Sequence, residues 1–303
     1  MTFVANTIFN RMKITLTSSL GNIGKTLAEN LIKNGHDVTI ISHSLERKAE
    51  IENINGKPQI GSLQDIEFLV SAFSGADAVF LMNPPDYSQP DIREYYRQTS
   101  TNFAKAIEKT GVYRVVLLSS FGGHLNYGTG PILGSHFSEE IIKQVPKINL
   151  TILRPTYFYY NLNNYVDMIK YTGQILANYG SNKFPLVSTK DIAEVATYEL
   201  ENNKSDLFRY IASSEHTGQE IATAIGQAIE ISNLKWTIVS DEDIKKGMQQ
   251  NGIPANIASL FTEMYHSLEN GRLTENYNSN KPSKMGSQSL SDFANEFATL
   301  YNK

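Results

Sequence analysis

Short continuous apolar runs alternate along this chain with longer stretches in which apolar residues return every third or fourth position. The first unit sets the pattern. Ile14 and Leu16 belong to an apolar run that reads as a short buried strand, and it breaks into Thr17-Ser18-Ser19-Leu20-Gly21-Asn22-Ile23-Gly24. Ile23, Leu27, Ala28, Leu31 and Ile32 then fall on one helix face. Gly35 stands where a left-handed cap ends such a helix, and Asp37–Ile41 supplies a second strand. The same rhythm predicts a short helix opening at Leu45-Glu46-Arg47-Lys48, a weak strand over Lys57–Gly61 and a helix over Asp65–Phe73. Ala78–Met82 is a fourth, wholly apolar strand, closed by Asn83-Pro84-Pro85 because proline cannot continue it. An amphipathic helix over Ile92–Lys109 stops at Gly111. Val115–Leu118 and Leu150–Leu153 read as strands five and six, with a helix over Ile132–Lys143 between them.

Beyond Pro155 the rhythm loosens. Tyr157–Lys170 is expected to be helical, and Ser188-Thr189-Lys190-Asp191 is a capping-box sequence opening a helix to about Glu201. Phe208–Ala212 is one more strand. From His216 onward the pattern is mostly helical, with one strand at Lys235–Val239 and a polar stretch over Glu275–Gln288. Apolar strands alternating with helices predict an α/β fold, a parallel sheet covered on both faces. Residues 12–155 form its core, with 183–215 returning to it. Residues 156–182 and 216–303 form a smaller, mostly helical lobe. Residues 1–11 read as an extension, because Met12-Lys13-Ile14 leads straight into the first strand and the segment lacks a signal-peptide pattern.

Ligands of such sheets bind outside the carboxyl ends of the strands. Those ends carry 18–22, 42–44, 83–85, 119–123 and 154–157, so five loops converge on one crevice. In the first, a helix start offers free N–H groups and partial positive charge, which suit a pyrophosphate if nothing bulky intervenes. Gly21 lets a phosphate approach the backbone, and Gly24 lets the first helical turn pack on the strand. The first glycine of a G-x-x-G-x-x-G spacing is replaced by Ser18. Serine fits there if its φ stays negative, and its hydroxyl can donate to a phosphate. Two glycines serving tight packing alone is the competing explanation.

Composition narrows the partners. The 303 residues carry a net charge of −4, which argues against a nucleic-acid surface. With no cysteine there are no disulfides, no thiolate catalysis and no cysteine-ligated zinc, in keeping with a cytoplasmic protein. No apolar run approaches the ~20 residues needed to span a bilayer, so no membrane partner is expected. The six histidines show no metal spacing and Gly-x-Ser-x-Gly is missing, so neither a metal site nor a serine hydrolase is expected.

Taken in order, these motifs resemble the NmrA-like branch of the atypical short-chain dehydrogenase/reductases. The resemblance rests on Gly21-Asn22-Ile23-Gly24, Leu81-Met82-Asn83-Pro84-Pro85, Gly111-Val112-Tyr113-Arg114 through Ser119-Ser120, and Gly128-Thr129-Gly130. It continues in Leu153-Arg154-Pro155-Thr156-Tyr157-Phe158, Val187-Ser188-Thr189-Lys190-Asp191-Ile192-Ala193 and Asp241-Glu242-Asp243-Ile244. It implies a Rossmann-type doubly wound sheet, a bound NAD(P) and a likeness to quinone reductases and redox-sensing regulators. There are departures. Ser18 replaces a glycine, and His43 stands where an arginine is common. Ile132 and His136 occupy the spacing of the Tyr-x-x-x-Lys pair that gives and tunes a proton in the wider superfamily.

The cofactor residues expected on this basis are Thr17, Ser18, Leu20, Gly21, Asn22, Ile23, Ser42, His43, Ser44, Arg47, Asn83, Pro84 and Ser119. No acid closes the second strand to hold a ribose 2′-OH, and Ser42, His43, Ser44 and Arg47 suit a 2′-phosphate, so NADP(H) is expected over NAD(H). The catalytic candidates are Ser119, with Ser120 beside it, His136 and Tyr157. Each has a plainer reading: a strand end, a solvated helix residue, a core aromatic. Arg154 reads as structural. Two functions compete: NADPH-dependent reduction of a quinone-like or other small apolar acceptor, and an NADP(H) sensor acting on a protein partner without turnover.

Overall fold

The computed structural model describes residues 11–203 and 206–303. The expected extension at residues 1–11 therefore lies outside the described residues except for Arg11. The first βαβ unit comprises β1 (Lys13–Leu16), α1 (Gly24–Lys33) and β2 (Asp37–Ser42). Next come α2 (Arg47–Asn53), β3 (Lys57–Ile60), α3 (Ile66–Phe73), β4 (Ala78–Leu81) and α4 (Ile92–Thr110). Then follow β5 (Arg114–Leu118), a 3-10 turn Gly130–Ile132, α5 (Leu133–Lys143) and β6 (Asn149–Pro155). Local chemistry sets the boundaries. Asp65 and Asp91 accept from first-turn N–H groups of α3 and α4, and Gly111 ends α4 at φ 69°.

The second half carries β7 (Tyr157–Phe158), a 3-10 stretch Tyr159–Tyr165, α6 (Val166–Thr172), β8 (Gln174–Ala177) and β9 (Phe184–Val187). It continues with α7 (Thr189–Glu201), β10 (Phe208–Ile211), β11 (Ser214–His216), α8 (Gly218–Ala228) and β12 (Lys235–Ile238). Four helices close the chain: α9 (Asp241–Gln250), α10 (Ala255–Glu269), α11 (Arg272–Ser279) and α12 (Leu290–Tyr301). Seven strands form one parallel sheet in the order β10-β6-β5-β4-β1-β2-β3, the Rossmann-type doubly wound arrangement.

Alternate side chains along the central strands enter different cores, which is why these runs are apolar throughout. Ile14, Leu16 and Phe80 pack with Leu27 and Leu31 of α1 and Ala193 and Leu200 of α7. Val79, Leu81, Val115 and Leu117 pack instead with Phe103 and Ile107 of α4 and Ile142 of α5. A third core fills the C-terminal lobe, built on Tyr157, Tyr179, Trp236, Tyr277 and Phe297.

Two expectations are corrected, and a third is met by a partner the sequence did not show. The helix expected over Tyr157–Lys170 begins only at Val166. Before it, Tyr157 and Phe158 pair with Leu186 and Val187 of β9, and the asparagine-rich 3-10 stretch that follows has poor helix formers. The strand near Lys235 is present, but its partner β8 carries no clear pattern in the sequence. At the start of α7 the capping box forms only by half. The Ser188 hydroxyl accepts from the Asp191 N–H at 3.0 Å and donates to the Asp191 carboxylate at 2.8 Å, but the Ser188 N–H donates to Ser213 Oγ instead of to that carboxylate.

Candidate functional site

The turn after β1 is held in place by side chains that face inward. Thr17 Oγ1 accepts from the Met82 N–H at 2.8 Å and donates to the Met82 carbonyl at 3.1 Å, tying the ends of β1 and β4 together. The Thr17 hydroxyl, expected at the cofactor, is thus occupied as a strut. Ser18 keeps a negative φ, as a side chain at that glycine position requires, while Ser19 takes the left-handed conformation at φ 49°. Ser19 Oγ donates to Ser42 Oγ at 3.1 Å, so this turn and the end of β2 move as one. Leu20 and Ile23 point into the core.

Four observations test whether these residues suit a dinucleotide. The Ser18 hydroxyl is buried and has no partner among the described residues. Neither do the N–H groups of Asn22 and Ile23. A β-carbon on Gly21 meets only the Ser18 carbonyl at 3.7 Å, so space lies open above it. A β-carbon on Gly24 falls 2.0 Å from the Ser19 carbonyl, so that position admits glycine alone. Unsatisfied donors, a clear approach and a helix start are what a phosphate needs. The residues fit the group.

Around the rim the side chains sort differently. Ser42 Oγ accepts from the Ser44 N–H at 3.3 Å and His43 is exposed. Arg47, expected to face a 2′-phosphate, pairs with Glu50 one turn along α2, and both are solvated. Past β4, Asn83 Nδ2 donates to Ser100 Oγ of α4 at 3.0 Å and Ser138 Oγ of α5 at 2.8 Å, and its Oδ1 has no partner among the described residues. Pro84 follows, half-buried.

The catalytic candidates fare unevenly. Ser119 Oγ donates to Glu139 Oε1 at 2.6 Å, inside a fully buried bidentate pair in which Arg154 holds Glu139 at 2.9 and 2.6 Å. Burial pushes the Glu139 carboxyl up, but Arg154, Ser119 and Lys143 outweigh it and hold the group below the usual carboxylate range. Ser119 is therefore a buried brace, and the partly exposed Ser120 keeps the hydroxyl without a side-chain partner. His136 Nδ1 lies 3.1 Å from the Gly123 carbonyl, which requires the proton on Nδ1 and leaves Nε2 bare in the neutral ring. Tyr157 is buried, its hydroxyl 2.8 Å from that of Tyr179, and burial raises it far above an ordinary phenol. Ile132 packs in the C-terminal core.

The aromatic run Tyr157-Phe158-Tyr159-Tyr160 reads in the sequence either as a pocket lining or, more simply, as core. Tyr157 and Tyr159 are core, Tyr160 joins an aromatic wall at the crevice mouth, and sequence reasoning missed the wall's other members. Tyr87, beyond β4, meets Phe261 of α10 with ring centres 5.3 Å apart. Tyr160 lies 5.4 Å from Phe158, and its hydroxyl bonds to Asn22. Tyr96 of α4 rests on Gly134 of α5, where a β-carbon would come within 2.8 Å of its ring. Tyr87 in its loop, and Tyr96 and Phe261 on their helices, gave no signal in the sequence pattern. Glu139 did: an acid seven residues after Ile132 and three before Ile142 lies on the inner face of its helix. Among the described residues there is no group of three or more metal-ligating side chains and no helix long and apolar enough to cross a membrane.

Comparison with known proteins gives the same picture. The model of the NmrA-like family matches residues 10–294. The uncharacterized oxidoreductase YesF of Bacillus subtilis (strain 168) is 25% identical over 297 residues, 95% of this chain and 96% of its own length. The NAD(P)H azoreductase of Xenophilus azovorans is 22% identical over 83% of this chain and 86% of its own length. Among solved structures, an NADPH-dependent quinone oxidoreductase of Escherichia coli, complexed with NADPH, superposes with a TM-score of 0.82 at 17% identity, covering 95% of this chain and all of its own. The Citrobacter sp. triphenylmethane reductase, complexed with NADP(H), gives 0.81 at 18%, covering 94% and 99%.

Proposed function

Because the chain belongs to the NmrA-like family, an oxidoreductase family of NAD(P)-binding Rossmann-type proteins, we propose that it is an NADPH-dependent reductase of a quinone-like acceptor. The observation that carries the reading is the open turn over Gly21, with the unpartnered Ser18 hydroxyl and the free Asn22 and Ile23 N–H groups beneath it. These groups hold the pyrophosphate. Ser44, His43 and, once released from Glu50, Arg47 receive the 2′-phosphate. When bound, the reduced nicotinamide would supply a hydride, and solvent would supply the single proton that completes a hydroquinone. The chain's own part is placement: Tyr87, Tyr160 and Phe261 wall the mouth of the crevice and take a flat apolar acceptor. Correct placement alone lowers such barriers by up to about 7–11 kcal/mol in favourable cases.

The test is NADPH oxidation by the purified protein over a panel of quinones, followed at the nicotinamide absorbance. Turnover is expected. One observation favours the second reading, a sensor of NADP(H) that regulates a protein partner: Ile132 stands in the core where a proton-giving tyrosine is usual. Tight NADPH binding without turnover on any quinone decides for the sensor.

A further inference from the structure

The aromatic wall contains one hydroxyl in a place of chemical interest. α4 and α5 pack side by side, and their contact can be followed turn by turn from the sheet upward. At the level of the β4 end, Ser100 of α4 and Ser138 of α5 meet at 2.8 Å over the Asn83 amide. One turn nearer the helix starts, about 5.4 Å higher, the paired residues are Tyr96 and Gly134. The ring of Tyr96 lies flush on the glycine, in space that a side chain at 134 would take. Tyr96 is only partly buried, and its hydroxyl has no hydrogen-bond partner among the described residues. Burial first, and then the nearby phenols of Tyr87, Tyr95 and Tyr160, raise the Tyr96 hydroxyl above an ordinary phenol.

Ile132 opens the same helix, two residues before Gly134, and its side chain is turned into the C-terminal core. The first turn of α5 therefore offers no phenol of its own, yet a phenol lies against that turn, brought there by α4. We propose that Tyr96 is a catalytic residue: its hydroxyl donates a hydrogen bond to the acceptor oxygen on which negative charge develops as the hydride arrives. Burial and the neighbouring tyrosines hold its proton firmly, so it acts as a fixed donor and solvent supplies the proton that neutralises the product. This inference rests on the reductase reading and adds to it the group that receives the acceptor.

The test compares wild type with Tyr96→Phe, Gly134→Ala and the exposed-surface control Tyr171→Phe. Phenylalanine keeps the ring and its packing and removes only the hydroxyl. Gly134→Ala keeps the hydroxyl and displaces the ring. Three quantities are measured: NADPH affinity by titration, kcat and KM with a benzoquinone, and hydroquinone affinity for the NADP⁺-loaded protein. Tyr96→Phe is expected to leave NADPH affinity unchanged and to lower kcat by about tenfold or more. It should also weaken hydroquinone binding by about fivefold, the loss of one neutral hydrogen bond. Gly134→Ala should follow it and Tyr171→Phe should match wild type. Unchanged kcat in Tyr96→Phe beside an active wild type overturns this inference alone. A parallel loss of NADPH affinity also overturns it, by showing a structural role. A wild type that binds NADPH and reduces no quinone removes the reductase reading, and Tyr96 with it.

Discussion

Two glycines three residues apart should respond in opposite ways to a side chain. At Gly21 a β-carbon has no neighbour nearer than the Ser18 carbonyl at 3.7 Å, and the residue is exposed. Gly21→Val should therefore fold, and the smaller entropy of its unfolded chain offsets any local cost. Its branched side chain nevertheless fills the approach to the Asn22 and Ile23 N–H groups, which have no other partner among the described residues. A hydrogen bond to a charged group contributes roughly 1.5–3 kcal/mol. Losing two costs roughly 3–6 kcal/mol, or about 10²- to 10⁴-fold in Kd. At Gly24 the added carbon lies 2.0 Å from the Ser19 carbonyl and 2.6 Å from Ser18 Oγ. Ser19 already holds φ at 49°, so the turn has little room to relax. Gly24→Ala should lose about 1–3 kcal/mol of stability to overpacking, and affinity with it. The assay pairs NADPH titration with thermal unfolding for each variant. A folded Gly21→Val that binds NADPH as wild type does would refute the placement of the pyrophosphate.

Three further outcomes are expected. Affinity for NADPH should exceed that for NADH by about tenfold or more, the worth of one charge-assisted contact at the end of β2; equal titration curves would defeat the assignment. Glu139→Ala leaves Arg154 buried and unpaired and should cost about 3–5 kcal/mol in urea unfolding. Because the folded Glu139 titrates below its ordinary value of 4.5, its stabilisation is complete above that pH and fades as pH falls through the lower folded value. Wild type should thus lose more stability than the variant on acidification, and parallel pH curves would contradict the pair's role. Asp191→Asn weakens the grip on Ser213 and on the Ser287 and Gln288 backbone, so proteolysis should open the segment before α12 first.

What the sequence disclosed followed from locality. The β1 turn, the glycine caps and the apolar strands are each decided within about a dozen residues, and periodicity records them. Where partners lie far apart, the pattern was silent. Ser119 looked free at a strand end because its acceptor, Glu139, is twenty residues on; helical spacing puts Glu139 on the inner face of α5 but does not name its partner. Thr17 looked like a cofactor residue until Met82 was placed beside it. Tyr157 and Phe158 form a strand only because β9 offers them an edge, and β8 only because β12 does. Tyr96 has no distinguishing pattern; its standing comes entirely from Gly134, thirty-eight residues away.

The donors the crevice offers constrain the acceptor. Reducing a ketone places full charge on one oxygen, and a general acid there typically contributes ~10²–10⁴-fold. Of the groups that might serve, Ile132 has no proton, Ser119 is committed to Glu139, Tyr157 is sealed beneath Tyr179, and His136 turns its Nδ1 to the Gly123 carbonyl. Among the described residues Ser120 and the phenols Tyr87, Tyr96 and Tyr160 of the wall remain, donors of hydrogen bonds that keep their protons. Such a site suits an acceptor that carries its own charge on reduction, spreading it over a ring and a second oxygen until solvent protonates it. On this reasoning quinones should be reduced and simple ketones should not, and His136→Ala should cost little. Robust ketone reduction that vanishes in His136→Ala would mean that His136 leaves Gly123 during the reaction and is the acid after all.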